Sequence, residues 1–483
     1  MTISIIPQVN HITISETQRL PYQANNVIYL YNTNLEKEGY KIVTKKDCIL
    51  VEYATERGKF YGQKTLEQLF QIYPHEIPEL IIHDYPQYSY RGFMIDSCRH
   101  FFSIEEIKKQ IEVMATVKMN TFHWHLSDDQ GWRVEIKKYP KLMEQGSKRK
   151  QTRGDGKEVS GYYTKEQIKE IIAFCQERYI DVIPELDMPG HFTAACSCYP
   201  ELLCTKEKIS VAEHFGILPN IACAGREFTY QFCCDVLDEI GELFPYNIIH
   251  IGGDEALKLN WLTCPDCREK MKKENLKTPE ELETYFLNRI TQYLSTKGKK
   301  VICWNDGMTC DNIDHRIIMQ YWKDNKEHTS LAITQAANGR KVIISPFSNY
   351  YLDYNYGITP LKKTYTYHHP LKNDSVIGVE APIWTEYIDS VDKLEQLTYP
   401  RLLAVAERGW TNNFNYSDFI KRVAFFETKL NSLNIKFAPL SEVNPFLVKR
   451  WFLKLSFYFK AIDKNIVKSL QLLRKYKKVK RLH

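Results

Sequence analysis

The feature that most constrains the fold is an eightfold alternation of short apolar segments with longer amphipathic segments between residues 90 and 412. Helical periodicity follows most of the apolar segments, at 104–118, 165–178, 228–244, 279–297 and within 393–408. This alternation predicts an α/β fold, a closed parallel (β/α)8 or TIM barrel, with one irregular connection at 353–375. The predicted strands are 92–97, 121–127, 179–185, 247–252, 300–304, 317–322, 341–346 and 376–380.

The segments on either side of the predicted barrel have different patterns. Residues 1–88 combine β-rich runs at 26–31, 39–44 and 48–54 with one helix-like segment at 62–70, which predicts a small α+β domain. Residues 75–86 are interpreted as a strand that links this domain to the barrel at 89–435. Residues 436–483 predict a helical, basic C-terminal extension. Packing on the barrel is the favoured interpretation of its apolar face, and contact with a membrane surface or a partner is the alternative.

Composition excludes several functional classes. The net charge is only +6, from 65 basic and 59 acidic residues, so no nucleic-acid partner is expected for the main body. No run of apolar residues is long enough to predict a membrane span, and the N-terminus lacks the pattern of a secretory signal. We therefore expect a cytoplasmic protein, and the sequence leaves its oligomeric state open.

The 13 cysteines favour reduced thiols, because an odd number scattered through predicted core strands is unsuited to a disulfide framework. Cys264 and Cys267 have CxxC spacing. Packed thiols without metal are the favoured interpretation, since one such pair is a weak signal, and a structural zinc ion is the alternative. No cofactor and no catalytic metal are expected. Further candidate ligands for zinc are Cys196, Cys198, Cys204 and Cys223.

Polar and aromatic residues gather where the predicted strands end, which is where TIM barrels place their functional side chains. Carboxylates and an arginine can hydrogen-bond sugar hydroxyls, and tryptophan faces can stack on a sugar ring. The pattern therefore favours a carbohydrate site. In chain order the eight strand ends carry segments 98–100, 128–133, 187–191, 252–255, 304–306, Trp322, 350–353 and 384–386.

Asp254 and Glu255 are the focus of this site. Most retaining glycosidases place an acid and a nucleophilic carboxylate ~5 Å apart on opposite sides of the scissile bond. Two carboxylates adjacent in sequence suit that arrangement poorly. They suit a division of labour in which one protonates the leaving oxygen and the other grips a substrate group that supplies the nucleophile.

The sequence resembles the glycoside hydrolase family 20 β-N-acetylhexosaminidases from about residue 20 to 412. The small N-terminal domain is also similar to the one that precedes the barrel in that family. The motifs that carry the resemblance are 91–100 (RGFMIDSCRH), 123–133 (HWHLSDDQGWR), 185–191 (ELDMPGH), 250–255 (HIGGDE), 351–353 (YLD) and 384–386 (WTE).

The resemblance implies a retaining, exo-acting enzyme that uses the substrate's own acetamido group as nucleophile and forms an oxazolinium-like intermediate. Glu255 would be the general acid and base, Asp254 would accept the acetamido N–H, and Tyr351 would bind the acetamido oxygen. His191 would tune Glu255. The residues expected to bind the terminal sugar are Arg91 and Glu386 at O3 and O4, Asp353 near O6, and Trp304, Trp322 and Trp384 around the acetyl methyl.

Two alternatives stay open at the level of sequence. One is an endo-acting, chitinase-like hydrolase, which would need an open groove rather than a closed pocket. The other is a barrel that binds carbohydrate without turning it over. The expected ligand is an oligosaccharide or glycan with a terminal β-N-acetylhexosamine, and the sequence leaves the choice between GlcNAc and GalNAc open.

Overall fold

The structure is a computed structural model that describes residues 3–21, 26–371, 374–462 and 464–480. The N-terminal domain is a five-stranded sheet of order β1-β5-β3-β4-β2 with one helix packed on it. The helix begins after Thr55, whose side chain accepts a hydrogen bond from the Gly58 backbone N–H. The elements are β1 (His11–Pro21), β2 (Val27–Tyr31), β3 (Tyr40–Thr44), β4 (Ile49–Tyr53), α1 (Glu56–Ile72) and β5 (Glu76–Asp84).

The interpretation of residues 75–86 as a linking strand is wrong. β5 lies inside the N-terminal sheet, antiparallel to both β1 and β3. Its alternating burial explains this position, because Ile77, Leu80 and Ile82 belong to the core of the domain.

The predicted barrel is confirmed. Eight parallel strands pair in chain order, and the last pairs with the first and closes the sheet. Two-residue strands β8 (Gly131–Trp132), β9 (Lys148–Arg149) and β10 (Val159–Ser160) lie in the connection after the second barrel strand. The barrel strands are β6 (Tyr90–Asp96), β7 (Thr121–Asp128), β11 (Asp181–Leu186), β12 (Ile248–His250), β13 (Lys300–Trp304), β14 (Ile318–Tyr321), β15 (Val342–Ile344) and β16 (Val376–Ile383).

All five predicted helices are present around the barrel. The one expected within 393–408 is broken in two at Tyr399 and Pro400. Five further helices in the described part of the barrel were not predicted, at 193–198, 265–273, 326–337, 361–365 and 416–432. The helix at 326–337 has only a weak apolar face. The helices are α2 (Ile104–Thr116), α3 (Lys165–Gln176), α4 (Thr193–Cys198), α5 (Glu227–Leu243), α6 (Pro265–Lys273), α7 (Pro279–Thr296), α8 (Lys326–Ala337), α9 (Leu361–Tyr365), α10 (Val391–Thr398), α11 (Arg401–Trp410) and α12 (Tyr416–Ser432).

The barrel interior is filled in layers. The layer at the amino ends of the strands is apolar, with an isoleucine from each of β11 to β15 packed beside Tyr90. The middle layer is polar, with Glu185 and Glu380 among histidines. The layer at the carboxyl ends is aromatic, where Trp304, Tyr351 and Trp384 pack on Met94. Among the described residues, the apolar layer fills the amino end of the barrel, and aromatic and polar groups line a pocket at the carboxyl ends.

Two helices, α13 (Leu447–Ala461) and α14 (Lys464–Lys480), follow the barrel. Phe457 of α13 contacts Tyr354 with ring centroids 5.2 Å apart, whereas Leu447 and Phe459 are 80% and 78% exposed. Phe457 contacts the barrel, but no residue of α13 is buried, so the packing of this helix on the barrel stays a prediction. Within the predicted basic extension at 436–483, residue 463 and residues 481–483 lie outside the described part of the chain. None of the described helices is long and apolar enough to span a membrane. The cytoplasmic location stays a prediction.

A buried ion pair joins the N-terminal domain to the barrel. The Lys118 Nζ lies 3.2 Å from Asp84 Oδ2 and donates to the Tyr40 hydroxyl at 2.7 Å. It also lies 4.4 Å from the centroid of the Trp410 ring, and the Trp410 indole donates to Asp84. Lys118 and Asp84 are fully buried, so each charge depends on the other.

We expect Asp84→Asn to lower the free energy of unfolding by about 3 kcal/mol, because the Lys118 ammonium loses its buried counter-charge. Asp47→Asn replaces an exposed residue of the same domain and is the control, which should change the free energy of unfolding little. Urea unfolding followed by tryptophan fluorescence measures both. Adding Lys118→Met to Asp84→Asn should restore part of the loss, and an Asp84→Asn variant as stable as the control would contradict the assignment.

Candidate active site

A pocket of about 200 Å³ opens at the carboxyl ends of the barrel strands. The pocket lies where several barrel strands end, as the sequence predicts. Eight of the ten predicted site residues line it: His191, Asp254, Glu255, Trp322, Tyr351, Asp353, Trp384 and Glu386.

The loop after β12 is tightly folded, and its glycines make that possible. Gly252 has φ +67°, and a Cβ there would lie 1.7 Å from Asp187 Oδ1. The next residue, Gly253, donates its backbone N–H to the same oxygen at 3.2 Å. Glu255 itself has φ +49°, which is uncommon for a residue with a side chain. The strained turn directs Asp254 and Glu255 into one pocket.

Asp254 is buried at the base of the pocket, and Glu255 is more open, with 26% of its side chain exposed. The Oδ1 atom of Asp254 has no hydrogen-bond partner among the described residues. Burial raises the pKa of Asp254 to about 7; His191 opposes this rise, and Asp306 and Glu255 add to it. A buried carboxylate oxygen without a partner is costly, so Asp254 is set to accept a donor from a ligand.

His191 connects the acidic residues of neighbouring loops. Its Nδ1 lies 3.3 Å from Asp128 and 3.2 Å from Asp129, and its Nε2 lies 3.7 Å from Glu255 Oε2 and 3.9 Å from Asp254 Oδ2. Burial alone would lower the pKa of His191, but these carboxylates raise it well above its usual value. The imidazolium therefore places a positive charge beside both acids.

Three aromatic rings form one wall. Trp322 and Tyr351 stack with centroids 5.9 Å apart and planes 19° apart, and Trp384 lies 6.2 Å from Tyr351. Trp304 does not line the opening. It lies fully buried beneath Trp384, with its indole N–H donated to Glu185 at 2.7 Å. Trp304 supports the wall from below.

The placement of Arg91 in the pocket is wrong. Arg91 stands near the amino end of β6, where it donates to Glu38 and to the Tyr61 hydroxyl of the N-terminal domain. Arg91 is the second residue of β6, whereas the pocket forms at the carboxyl ends of the strands. The two therefore lie at opposite ends of the barrel.

The arginine in the pocket is Arg99, which follows the carboxyl end of β6. Its guanidinium pairs with Asp128 at 2.8 Å, lies 3.9 Å from Glu386 and sits 5.0 Å from the centroid of Trp384. Segment 98–100 is one of the predicted strand ends, so the sequence carries the signal for Arg99. The motif at 91–100 contains both arginines, and only the second of them follows the strand.

Asp353 and Glu386 also line the pocket, and Glu386 lies 3.9 Å from Arg99. Burial raises the pKa of Asp353 well above its usual value, and Glu386 adds to the rise. The Oδ1 atom of Asp353 has no hydrogen-bond partner among the described residues. Together with Arg99, these carboxylates offer the paired donors and acceptors that fix sugar hydroxyls.

Two further lining residues, Phe347 and Tyr354, were missed by the sequence analysis. Phe347 packs edge-on against Tyr351, with centroids 5.9 Å apart. Both belong to the irregular connection after β15, where no periodicity marks individual side chains.

Family models identify the domain arrangement. The model of the glycosyl hydrolase family 20 catalytic domain matches residues 88–413, and the model of domain 2 of that family matches residues 8–85. The first match alone covers more than half of the 483-residue chain. The chain belongs to glycosyl hydrolase family 20. The predicted family is therefore confirmed.

Relatives within family 20 carry consistent names. A Beta-hexosaminidase of Porphyromonas gingivalis is 37% identical over 439 residues, which cover 84% of this chain and 56% of that protein. The chain thus spans little more than half the length of that relative. A Beta-hexosaminidase of Akkermansia muciniphila is 34% identical over 397 residues, covering 78% of this chain and 80% of that protein.

Solved structures of family 20 proteins have the same architecture. The β-N-acetylhexosaminidase from Bacteroides fragilis matches with a TM-score of 0.81 and 31% identity, over 90% of this chain and 97% of that one. The exo β-N-acetylglucosaminidase from Vibrio harveyi, in complex with N-acetylglucosamine, matches with a TM-score of 0.82 and 27% identity, over 91% of this chain and 79% of that one.

Asp306 is a positioning residue of this family 20 site. One carboxylate oxygen accepts the backbone N–H of Glu255 at 3.2 Å, and the other accepts the indole N–H of Trp322 at 2.8 Å. Asp306 thus couples the strained Glu255 backbone to one ring of the aromatic wall. Lys323 lies 3.4 Å from the same carboxylate and balances its charge.

We expect Asp306→Ala to lower kcat by about 10²-fold, because Glu255 and Trp322 both lose the acceptor that fixes their positions. Steady-state hydrolysis of an aryl N-acetyl-β-glucosaminide measures kcat and KM separately. Asp311→Ala, an exposed change in the same loop, is the control. An Asp306→Ala enzyme with the kcat of this control would show that Asp306 does not position the acid.

Proposed function

We propose that the protein is an exo-acting, retaining β-N-acetylhexosaminidase that releases terminal β-linked GlcNAc or GalNAc by substrate-assisted catalysis. The observation that carries the proposal is the unpartnered, buried Oδ1 of Asp254 beside an aromatic wall. An acetamido group has an N–H for that oxygen and a methyl group for the wall. A plain hydroxyl in its place would leave the wall without an apolar partner.

The dimensions of the pocket support exo cleavage. Its volume is about 200 Å³, and Arg99, Asp353 and Glu386 are among its lining residues. These polar groups match the hydroxyls at the non-reducing end of a sugar, so a longer chain could not continue past them. An endo-acting enzyme would need open space in that position.

The first chemical step is assigned to Glu255 and the substrate. Glu255 donates its proton to the glycosidic oxygen, and the C1–O bond breaks with its electron pair leaving on that oxygen. The acetamido carbonyl oxygen attacks C1 from the opposite side, with the Tyr351 hydroxyl hydrogen-bonded to it. Asp254 accepts the acetamido N–H and stabilises the positive charge of the oxazolinium-like intermediate.

The second step returns the enzyme to its starting state. The Glu255 carboxylate takes a proton from water, whose oxygen bonds to C1 as the C1–acetamido oxygen bond breaks. Two inversions at C1 give a retained anomer. His191, which carries a positive charge 3.7 Å from Glu255, stabilises the carboxylate that exists between the two steps.

A second cavity, of about 430 Å³, meets the first at Glu255. It is lined by Asp306 and Lys323 and by Tyr476 and Lys477 of α14. A general acid must stand between the sugar and its leaving group, so the proposal assigns this cavity to the leaving group. The C-terminal extension would thereby contribute to the choice of aglycone.

Replacing Glu255 with Gln tests the assigned proton donor. We expect kcat for a β-linked GlcNAc disaccharide to fall by about 10²- to 10⁴-fold with little change in KM, because the proton donor is lost and the sugar contacts stay. An aryl glycoside with a good leaving group should lose less. Initial rates over a substrate series measure both effects.

Glu177→Gln is the control for this experiment, since Glu177 is an exposed glutamate at the end of α3, on the side of the barrel where the strands begin. It should retain normal kcat. Equal losses for both leaving groups in Glu255→Gln would contradict the role as general acid. No turnover by the unmodified protein on any β-N-acetylhexosaminide would reject the proposed function.

The raised pKa of Asp254 predicts the acid side of the pH profile. Burial places this pKa at about 7, and only the ionised form carries the negative charge that stabilises the oxazolinium-like intermediate. As pH falls through about 7, Asp254 becomes protonated, so kcat/KM, which reports the free enzyme, should fall. Asp254→Asn should be much slower and should lack this limb. The same acid limb in both enzymes would contradict the assignment.

A further inference from the structure

Four cysteines from three separate segments meet beside the catalytic face. Cys204 and Cys223 belong to the loop between β11 and α5. Cys264 caps α6, and Cys267 lies in its first turn. Cys223, Cys264 and Cys267 are buried, and Cys204 is half-buried. All four sulfur atoms lie within 4.8 Å of one another.

The distances between the sulfur atoms match one kind of site. Cys204 and Cys267 are 3.8 Å apart, Cys223 and Cys264 are 3.8 Å apart, and Cys223 and Cys267 are 3.6 Å apart. A disulfide requires about 2.0 Å, so none of these pairs is bonded. Four thiolates at ~2.3 Å from a tetrahedral zinc ion stand ~3.8 Å from one another. The cluster has the dimensions of a mononuclear tetrahedral site.

The backbone around the four thiols is closely fitted. Gly225 lies against α6 so tightly that a Cβ there would be 2.3 Å from the Cys267 nitrogen. A bridge between Leu203 and Ala222 brings Cys204 and Cys223 side by side, and the Trp261 indole donates to Ala222 at 2.9 Å. The tetrad is therefore fixed by packing outside the thiols themselves.

The surroundings of the tetrad also suit the net negative charge that a zinc ion and four thiolates carry together. The amino end of α6 carries partial positive charge at Cys264 and Cys267. The Arg226 guanidinium lies beside the tetrad, where it donates to the Cys204 carbonyl at 3.0 Å and pairs with Asp266 of α6 at 2.5 Å.

We propose that Cys204, Cys223, Cys264 and Cys267 bind one structural zinc ion. The sequence alone favoured packed thiols, because only the CxxC pair was visible as a pattern. The fold supplies Cys204 and Cys223 from a loop more than 40 residues away in sequence. Cys196 and Cys198 do not take part: Cys198 contacts the carbonyl oxygens of Lys141 and Ala194 instead.

The ion would join the two loops that carry the catalytic groups. The loop with Cys204 and Cys223 begins after β11 and also carries His191, and the loop with Cys264 and Cys267 begins after β12 and also carries Asp254 and Glu255. The two loops touch at Gly190, where a Cβ would lie 2.6 Å from the Asp254 carbonyl oxygen. The zinc site thus stabilises the contact on which the spacing of His191 and the acids depends.

Metal analysis of the purified full chain tests the proposal. We expect one zinc per chain by inductively coupled plasma mass spectrometry, retained through gel filtration in EDTA-free buffer. Cys267→Ser should lose most of the zinc and show a lower melting temperature. Cys198→Ser is the matched control, because Cys198 is a buried cysteine from the same connection and lies outside the tetrad. This variant should keep its zinc and its melting temperature.

A second measurement needs no variant and so does not depend on whether Cys267→Ser folds. Titration of the native protein with a mercurial thiol reagent, with a chromogenic zinc indicator present, should release one zinc per chain as the four thiols react. Less than about a tenth of an equivalent of zinc in the native protein, or one equivalent of iron in its place, would overturn the proposal. A Cys267→Ser protein that keeps its zinc would do the same.

Discussion

The buried carboxylate of Glu185 in the middle of the barrel is the interaction on which the pocket depends. Burial alone would raise its pKa, but His250, His125 and His123 hold it well below its usual range. Its oxygens lie 2.9 Å from His250 and 3.2 Å from His123, and they accept the Trp304 indole at 2.7 Å. Because these partners stand on different strands, the charge fixes the strands and the floor of the pocket together.

The catalytic candidates lie on the loops above this floor, and the tight folding of these loops determines where their side chains point. Gly252 brings the chain against Asp187, and the left-handed backbone of Glu255 turns it toward the pocket beside Asp254. His191, from the neighbouring loop, balances both acids with one positive charge. Adjacent carboxylates can then perform different tasks, because one is buried and lacks a partner whereas the other is open to the leaving-group side.

Periodicity was sufficient for predicting the barrel, because each strand is a short apolar run with a polar end. Which arginine reaches the pocket could not be decided in the same way. Arg91 lies at the amino end of β6 and Arg99 follows its carboxyl end, so the direction of β6 relative to the pocket separates them. Likewise the sequence of β5 is compatible with a linking strand, since its antiparallel partners are distant along the chain. The cysteine tetrad needs two loops to meet, which no local pattern shows.

The central claim is that the substrate's acetamido oxygen attacks C1 while Asp254 and Glu255 share the supporting roles. The most direct measurement is kcat/KM for p-nitrophenyl β-glucosaminides whose N-acetyl methyl group carries zero, one, two or three fluorine atoms. Each fluorine withdraws electrons from the carbonyl oxygen and weakens it as a nucleophile. The account predicts a steep, progressive fall in kcat/KM along the series. Rates that do not change with fluorination would mean that a group of the enzyme attacks C1, which would contradict the account.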